Sequence, residues 1–234
     1  MNIQVEGTET TSRKVDQVTI SDNTVAIIGI GNIGTRLAAN FAAGGQDFLL
    51  AGRDREAARK IASDLGGHAE AVSVDEAVRR ADVIVPAVWF DIFKQLITQY
   101  GQQLDGKVII DPTNAVGPDG QGGYRKVIGE QESSGQILAG LLPVGARLVK
   151  AFGTLSAGSL SSAARQEPDR AVLFYAADDE AAGDLAAGLI RAAGFDPVRV
   201  GGLDQSIRIE MFGDLHEYGA LGRVVTRAEA LKAL

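Results

Sequence analysis

The stretch Val25-Ala26-Ile27-Ile28-Gly29-Ile30-Gly31-Asn32-Ile33-Gly34 decides how the rest of the chain is read. A short apolar run of strand character enters three glycines spaced G-x-G-x-x-G, and a segment of helical period, Ile33–Ala43, follows at once. Each glycine has a task in such a turn. Gly29 takes the tight corner, Gly31 lets the backbone come close to a diphosphate, and Gly34 lets the helix lie against the strand. The diphosphate then rests on the helix N-terminus, where free N–H groups and the dipole favour an anion. A plain strand-to-helix turn needs no glycine at all three places. The expected site is therefore a dinucleotide cradle formed by Gly29, Ile30, Gly31, Asn32, Ile33 and Gly34.

The next strand carries the choice of dinucleotide. Phe48-Leu49-Leu50-Ala51 runs into Gly52-Arg53-Asp54-Arg55, with Arg59 one helical turn on. A carboxylate at the end of this strand would accept hydrogen bonds from a ribose 2′-OH and mark NAD(H). Gly52 instead leaves room for a 2′-phosphate, and Arg53 offers a bidentate, stacking guanidinium. Arg55 and Arg59 either add charge or are solvated, and Asp54 reads as a helix N-cap. The expected cofactor is NADP(H).

Outward from this unit, β-branched runs alternate with Ala-rich segments of helical period. Strands are expected at Thr24–Ile28, Asp47–Ala51, Val83–Val88, Lys107–Asp111, Leu148–Phe152, Ala171–Ala176 and Pro197–Val200. Helices are expected at Ile33–Ala43, Arg55–Leu65, Val74–Arg80, Phe90–Tyr100, Tyr124–Leu138 and Glu180–Ala193, with a terminal one beginning near Asp204. The pattern gives an α/β fold: a Rossmann-type, doubly wound, mostly parallel sheet with a short C-terminal helical segment. The division expected is an N-terminal extension over 1–22, an NADP-binding domain over 23–202 and a helical tail over 203–234. Residues 1–22 read as an edge hairpin (Ile3–Val5 with Val15–Ile20) or a disordered leader. Two loops beyond strand ends, Asp111–Gly123 and Gly153–Ser162, stand where open α/β sheets meet ligands.

Composition narrows the function. The 234 residues are 45% hydrophobic with a formal charge of -7, against general nucleic-acid affinity. There is no cysteine, so disulfides, thiolates and Cys-ligated metals are impossible. No apolar run approaches the roughly 20 residues that span a bilayer, and Met1–Asp22 lacks an apolar core of the signal-peptide kind. The expectation is a cytoplasmic protein with no membrane or nucleic-acid partner. No metal-ligand cluster, carboxylate pair or Ser/His/Asp set stands out, and Asp178-Asp179-Glu180 reads as a helix cap. His68 reads as exposed, and His216 as a residue of the terminal helix, in core or at surface or else reaching a cleft.

The sequence resembles the NADPH-dependent coenzyme F420 reductase (F420H2:NADP oxidoreductase) family. That family is related to the reductase domains of STEAP metalloreductases and to the nucleotide-binding halves of pyrroline-5-carboxylate reductases. The marks are Ile28–Gly34, Ala51-Gly52-Arg53, Val83–Trp89, Ile110–Asn114, Val149-Lys150-Ala151-Phe152-Gly153-Thr154, and Gly201–Glu210 with its Ser206, Arg208 and Glu210. The short tail after Val200 agrees, since imine and 3-hydroxyacid reductases add a large helical domain there. Members commonly carry Asn where Gly153 stands, Pro where Ala115 stands, and Pro-Trp where Val88-Trp89 stands. These departures lie at the expected acceptor side. The resemblance implies hydride transfer between NADPH and a deazaflavin (F420) or flavin-like co-substrate, a small-molecule redox acceptor, and a homodimer. Ile207, Ile209, Met211, Phe212 and Leu215 would supply the dimer surface.

Hydride transfer to such a ring needs stacking more than acid–base groups. Val88, Thr113 and Asn114 are expected beside the nicotinamide. Trp89 either covers the nicotinamide or ribose, or packs under the next helix. Phe152 and Thr154 are expected on the acceptor face. Ser206 and Arg208 meet an anionic acceptor tail, or Arg208 makes an intrachain ion pair. Two other readings stay open: reduction of free flavin, a ferric chelate or a small C=O or C=N compound, and a non-catalytic NADP(H) sensor.

Overall fold

Val25 and Ile27 face one apolar layer while Ala26 and Ile28 face another, and all four are buried. A strand whose two faces are both covered must be apolar throughout, and this one lies inside the sheet, between β4 and β2. The computed structural model describes residues 23–234, so the expected N-terminal hairpin or leader lies outside the described residues.

In chain order the elements are β1 (Val25–Ile28), α1 (Asn32–Ala43), β2 (Phe48–Ala51), α2 (Arg55–Asp64), β3 (Ala69–Val72), α3 (Val74–Arg80), β4 (Val83–Pro86) and α4 (Phe90–Tyr100). Then follow β5 (Val108–Asp111), a hairpin of β6 (Val116–Pro118) and β7 (Tyr124–Lys126), α5 (Ser134–Leu141), β8 (Arg147–Lys150) and α6 (Ala157–Ser162). The chain closes with β9 (Val172–Ala177), α7 (Glu180–Ala192), β10 (Asp196–Gly201), a one-turn α8 (Ser206–Ile209) and α9 (Arg227–Ala233).

The large sheet has the order β10-β9-β8-β5-β4-β1-β2-β3. The six strands from β3 to β8 are parallel, in the order that builds a dinucleotide crevice between β1 and β4. This is the Rossmann-type, mostly parallel α/β fold expected. Leu37 and Phe41 of α1 and Leu185 and Ile190 of α7 fill one layer. Val78, Phe93, Ile97 and Leu138, from α3, α4 and α5, fill the other.

β9 runs antiparallel to β8 and meets it only at Val149↔Ala177 and Lys150↔Ala176, while β10 lies parallel to β9. The β9–α7–β10 unit is therefore offset past the C-terminal edge of the parallel strands. Its last strand ends at Gly201, paired with Ala176, beside Lys150. That offset delivers the C-terminal segment to the edge where ligands bind. Ile209, Leu215, Val225 and Ala230 fasten the segment down by packing on Val172, Phe174 and Val198.

Some expectations are corrected. The helix expected over Tyr124–Leu138 begins ten residues later, because Tyr124–Lys126 pairs with Val116–Pro118 and Ser133 caps the helix through Gln136 N–H. The terminal helix is two short pieces joined by turns. Gly213 and Gly219 lie so close to backbone carbonyls that no side chain fits. Ile209 and Leu215, expected on a dimer surface, are core residues. Elements not expected are edge strand β3, the β6–β7 hairpin and the short α6. Among the described residues, no helix is long and apolar enough to cross a membrane.

Candidate nucleotide and acceptor site

The three glycines of the β1–α1 turn show three separate needs. Gly29 has φ 118°, and a Cβ there would fall 2.3 Å from the Ala87 carbonyl oxygen. A Cβ on Gly34 would lie 1.9 Å from the Gly29 oxygen, so the helix could not sit where it does. Gly31 is exposed, with open space at its Cβ position. No side chain caps α1 and its first turn holds no acidic residue, which leaves the first-turn N–H groups to an external anion. Ile30 and Ile33 lean on the core, and Asn32 is exposed, its carbonyl accepting from Arg36 Nη1 at 2.8 Å. Val88 is brought within 3.0 Å of the Cβ position of Gly29, so the ends of β1 and β4 meet.

Gly52 shows a packing need of its own. It is buried, and a Cβ would fall 2.9 Å from Ile30 Cγ1, so its smallness admits the Ile30 side chain. Arg53, Arg55 and Arg59 are exposed, and none is in a salt bridge of the described residues. Asp54 caps α2 by accepting from Ala57 N–H at 2.9 Å.

At the ends of β5 and β8 lies a buried polar network. Lys150, 1% exposed, donates to Asp111 Oδ2 at 2.7 Å, to Ser134 Oγ at 3.0 Å and to the Thr113 carbonyl. Glu210 accepts from Ser133 Oγ (2.7 Å) and from the N–H groups of Ser134 and Gly135 (both 2.9 Å), at the N-terminus of α5. Burial pushes the Glu210 carboxyl up. The Lys150 charge and these hydrogen bonds outweigh it and hold the group below the ordinary carboxylate range. Ser206, expected to meet an acceptor tail, is instead fully buried inside this network, its hydroxyl against Ser133 Oγ at 2.7 Å and donating to the Leu203 carbonyl. Arg208 makes the intrachain alternative, an ion pair with Asp214 at 2.8 Å.

Asn114 bridges three segments. Its amide nitrogen donates to the Gly153 carbonyl at 3.0 Å, and its amide oxygen accepts from Met211 N–H at 2.7 Å. Phe152, expected on the acceptor face, points into the core. Its φ of 63° turns the side chain inward, fully buried and edge-on to Phe41 at 5.9 Å. Thr113 and Thr154 are buried, and their hydroxyls are sealed without a protein partner. Trp89 does not pack under α4, a place Phe90 takes; it is 56% exposed, its ring 6.3 Å from that of Tyr124. An apolar groove of about 310 Å³ opens here, lined by Trp89, Phe90, Val116, Pro118 and Val127 among others.

His216 is buried rather than helical, and its Nδ1 accepts from Tyr218 N–H at 2.9 Å. Burial pushes it below its usual value, against the pull of the Glu217 charge and the Gly153 backbone. Glu217 accepts from Ser156 N–H, and its own N–H donates to the Thr154 carbonyl. His68 is partly exposed and bonded to Asp47 at 2.7 Å. Asp179 caps α7 through Ala182 N–H, as expected of the acidic run. Among the described residues, no three His, Cys, Asp or Glu side chains gather as a metal site.

Both lowered groups carry the same sign of pH dependence. The unfolded chain binds more protons, so stability rises with pH. The His216 contribution is complete above about pH 6.5 and lost below it, and the Glu210 contribution is lost below about pH 4.5. Thermal midpoints taken from pH 8 to pH 2 should fall in two stages, and His216→Gln should remove the first. A midpoint flat from pH 7 to pH 5 contradicts this assignment.

The profile described as NADP oxidoreductase coenzyme F420-dependent matches residues 24–115. The family expected from the motifs is the one that matches. The F420-dependent NADP reductase of Methanothermobacter thermautotrophicus is 29% identical over 197 residues, covering 80% of this chain and 84% of the relative. A hypothetical protein from Sinorhizobium meliloti, of known crystal structure, superposes with a TM-score of 0.77 at 29% identity, over 88% of this chain and 97% of the other. A pyrroline-5-carboxylate reductase from Coxiella burnetii gives 0.60 at 18% identity, over 82% and 64%; that likeness concerns the fold alone. The match covers the glycine turn, the Gly52–Arg53 corner, Trp89 and Asn114. The family points to NADPH-dependent oxidoreductase chemistry with NADP(H) as its dinucleotide.

Proposed function

We propose that this protein passes hydride between NADP(H) and a planar deazaflavin- or flavin-type ring, without a protein acid or base. The observation that carries this is the state of the ionisable groups gathered at the ends of β5 and β8 and in the C-terminal segment beside them. Asp111, Lys150, Glu210, His216 and Glu217 are all buried and bonded to other protein groups. Reduction of a carbonyl needs a proton delivered to the oxygen, and none of these groups is free to give one. A conjugated ring takes hydride into its own π system and asks only for stacking at about 3–3.5 Å. The relative from Methanothermobacter, an F420-dependent NADP reductase, supports F420 as the ring. The proposal includes Val88, Trp89 and Asn114 at the nicotinamide edge, and a homodimeric state, readable by light scattering.

A spectrophotometric panel of NADPH oxidation with F420, FMN, FAD, ferric chelates and small carbonyl compounds tests the reading. Turnover with a ring acceptor supports it; turnover with small carbonyls alone, or none with any acceptor, defeats it. The cofactor assignment has its own test. Arg53→Ala should cost NADPH about 1.5–3 kcal/mol of binding and NADH little, since one charge-assisted contact is lost. Calorimetric titration with both nucleotides measures the difference. An unchanged NADPH/NADH ratio means that the 2′-phosphate lies elsewhere.

A further inference from the structure

Three residues other than glycine have positive φ among the described residues: Phe152, Arg165 and Phe212. Two of them have visible compensation. Phe152 is fully buried against Phe41. Arg165 donates to the Asn40, Ala192 and Ala193 carbonyls, at the ends of α1 and α7. Phe212, at φ 74°, has none of this. The residue is 48% exposed, so burial does not explain a large aromatic side chain where glycine or asparagine is held more cheaply. Uncompensated strain of this kind gathers at sites that need the side chain it carries.

The place of Phe212 says which site. Met211 N–H is held by Asn114 Oδ1, and Asn114 also holds the Gly153 carbonyl. Glu210 is anchored on the N-terminus of α5, and Gly213 N–H returns to the Glu210 carbonyl at 2.8 Å. Phe212 is thus carried on a short stretch fixed on both sides, next to the ends of β5 and β8, the edge at which open α/β sheets meet ligands.

We propose that Phe212 is a specificity-determining residue whose ring stacks on the planar electron acceptor. This rests on the ring-acceptor reading given above. A phenyl face held out from fixed backbone suits a flat conjugated ring and offers little to a small aliphatic carbonyl compound.

Phe212→Gly and Phe212→Tyr in the full-length protein test this, with NADPH as donor and F420 and FMN as ring acceptors. Phe212→Gly should raise the acceptor KM about tenfold, the loss of one aromatic stacking contact. NADPH affinity by calorimetry should stay unchanged, and the thermal midpoint should be equal or higher, because the backbone strain is relieved. Phe212→Tyr should restore the acceptor KM. If the wild type turns over and Phe212→Gly keeps its acceptor KM, this inference falls and the ring-acceptor reading stands. A lower thermal midpoint, or dissociation of a dimer by light scattering, gives Phe212 a structural role and overturns the inference. A wild type that oxidises NADPH with neither ring defeats both.

Discussion

Replacing Lys150 by methionine should cost the fold roughly 3–5 kcal/mol, the usual consequence of removing one partner from a buried ion pair. The loss is large because Lys150 serves more than one group. Without its ammonium, Asp111 is a carboxylate at 0% exposure with no cation, and Glu210 loses the nearby charge that offsets its burial. The Thr113 carbonyl and Ser134 hydroxyl lose a donor as well. Urea unfolding measures the effect, and a loss under about 1 kcal/mol would mean that water or rearrangement satisfies Asp111. Adding Asp111→Asn to Lys150→Met should recover part of the loss, because the stranded charge is gone. The damage should reach function too, since the network ties together the loops after β5 and β8, α5 and the C-terminal segment.

The second large effect lies in the glycine turn. Gly34→Ala places a methyl group 1.9 Å from the Gly29 oxygen, well inside contact distance. Helix α1 must move outward by an ångström or more, taking its N-terminus away from the diphosphate position. Displacement on that scale costs about 100-fold where geometry is exacting, and NADPH binding by calorimetry should weaken by at least that. Gly31→Ala is the informative contrast. Its Cβ enters open space, so the free protein should melt as the wild type does while NADPH binding is still lost. Wild-type affinity in Gly34→Ala would show that the helix is not the phosphate cradle.

The parts of the fold that the sequence declared are those governed by local chemistry. The apolar strands, the glycine turn and the caps at Asp54 and Asp179 were all readable. Edge strand β3 escaped because Ala69-Glu70-Ala71-Val72 has only one β-branched residue and is half exposed. The hairpin escaped because its strands are three residues long and its tip is glycine-rich. At the site, the segments were legible but the pairings were not. Asp111 and Lys150 are 39 residues apart, and Glu210 meets Ser133 across 77. One signal was present: a lysine inside the apolar run Leu148–Phe152 demands a buried counter-charge, and Asp111 ends the neighbouring strand. Phe152 was misplaced because its positive φ, which no spacing rule reports, turns the side chain inward, and Ser206 because its partner Ser133 lies 73 residues away.

Trp89 gives the molecule a built-in optical reporter. It is the chain's single tryptophan, half in water, against Tyr124 at the mouth of the apolar groove. All indole emission therefore originates within a few residues of the β4 terminus, with no background from the core. Arrival of a ring acceptor there, or closure of the hairpin over it, would be read as quenching or a spectral shift in unlabelled protein, so binding can be timed separately from hydride transfer.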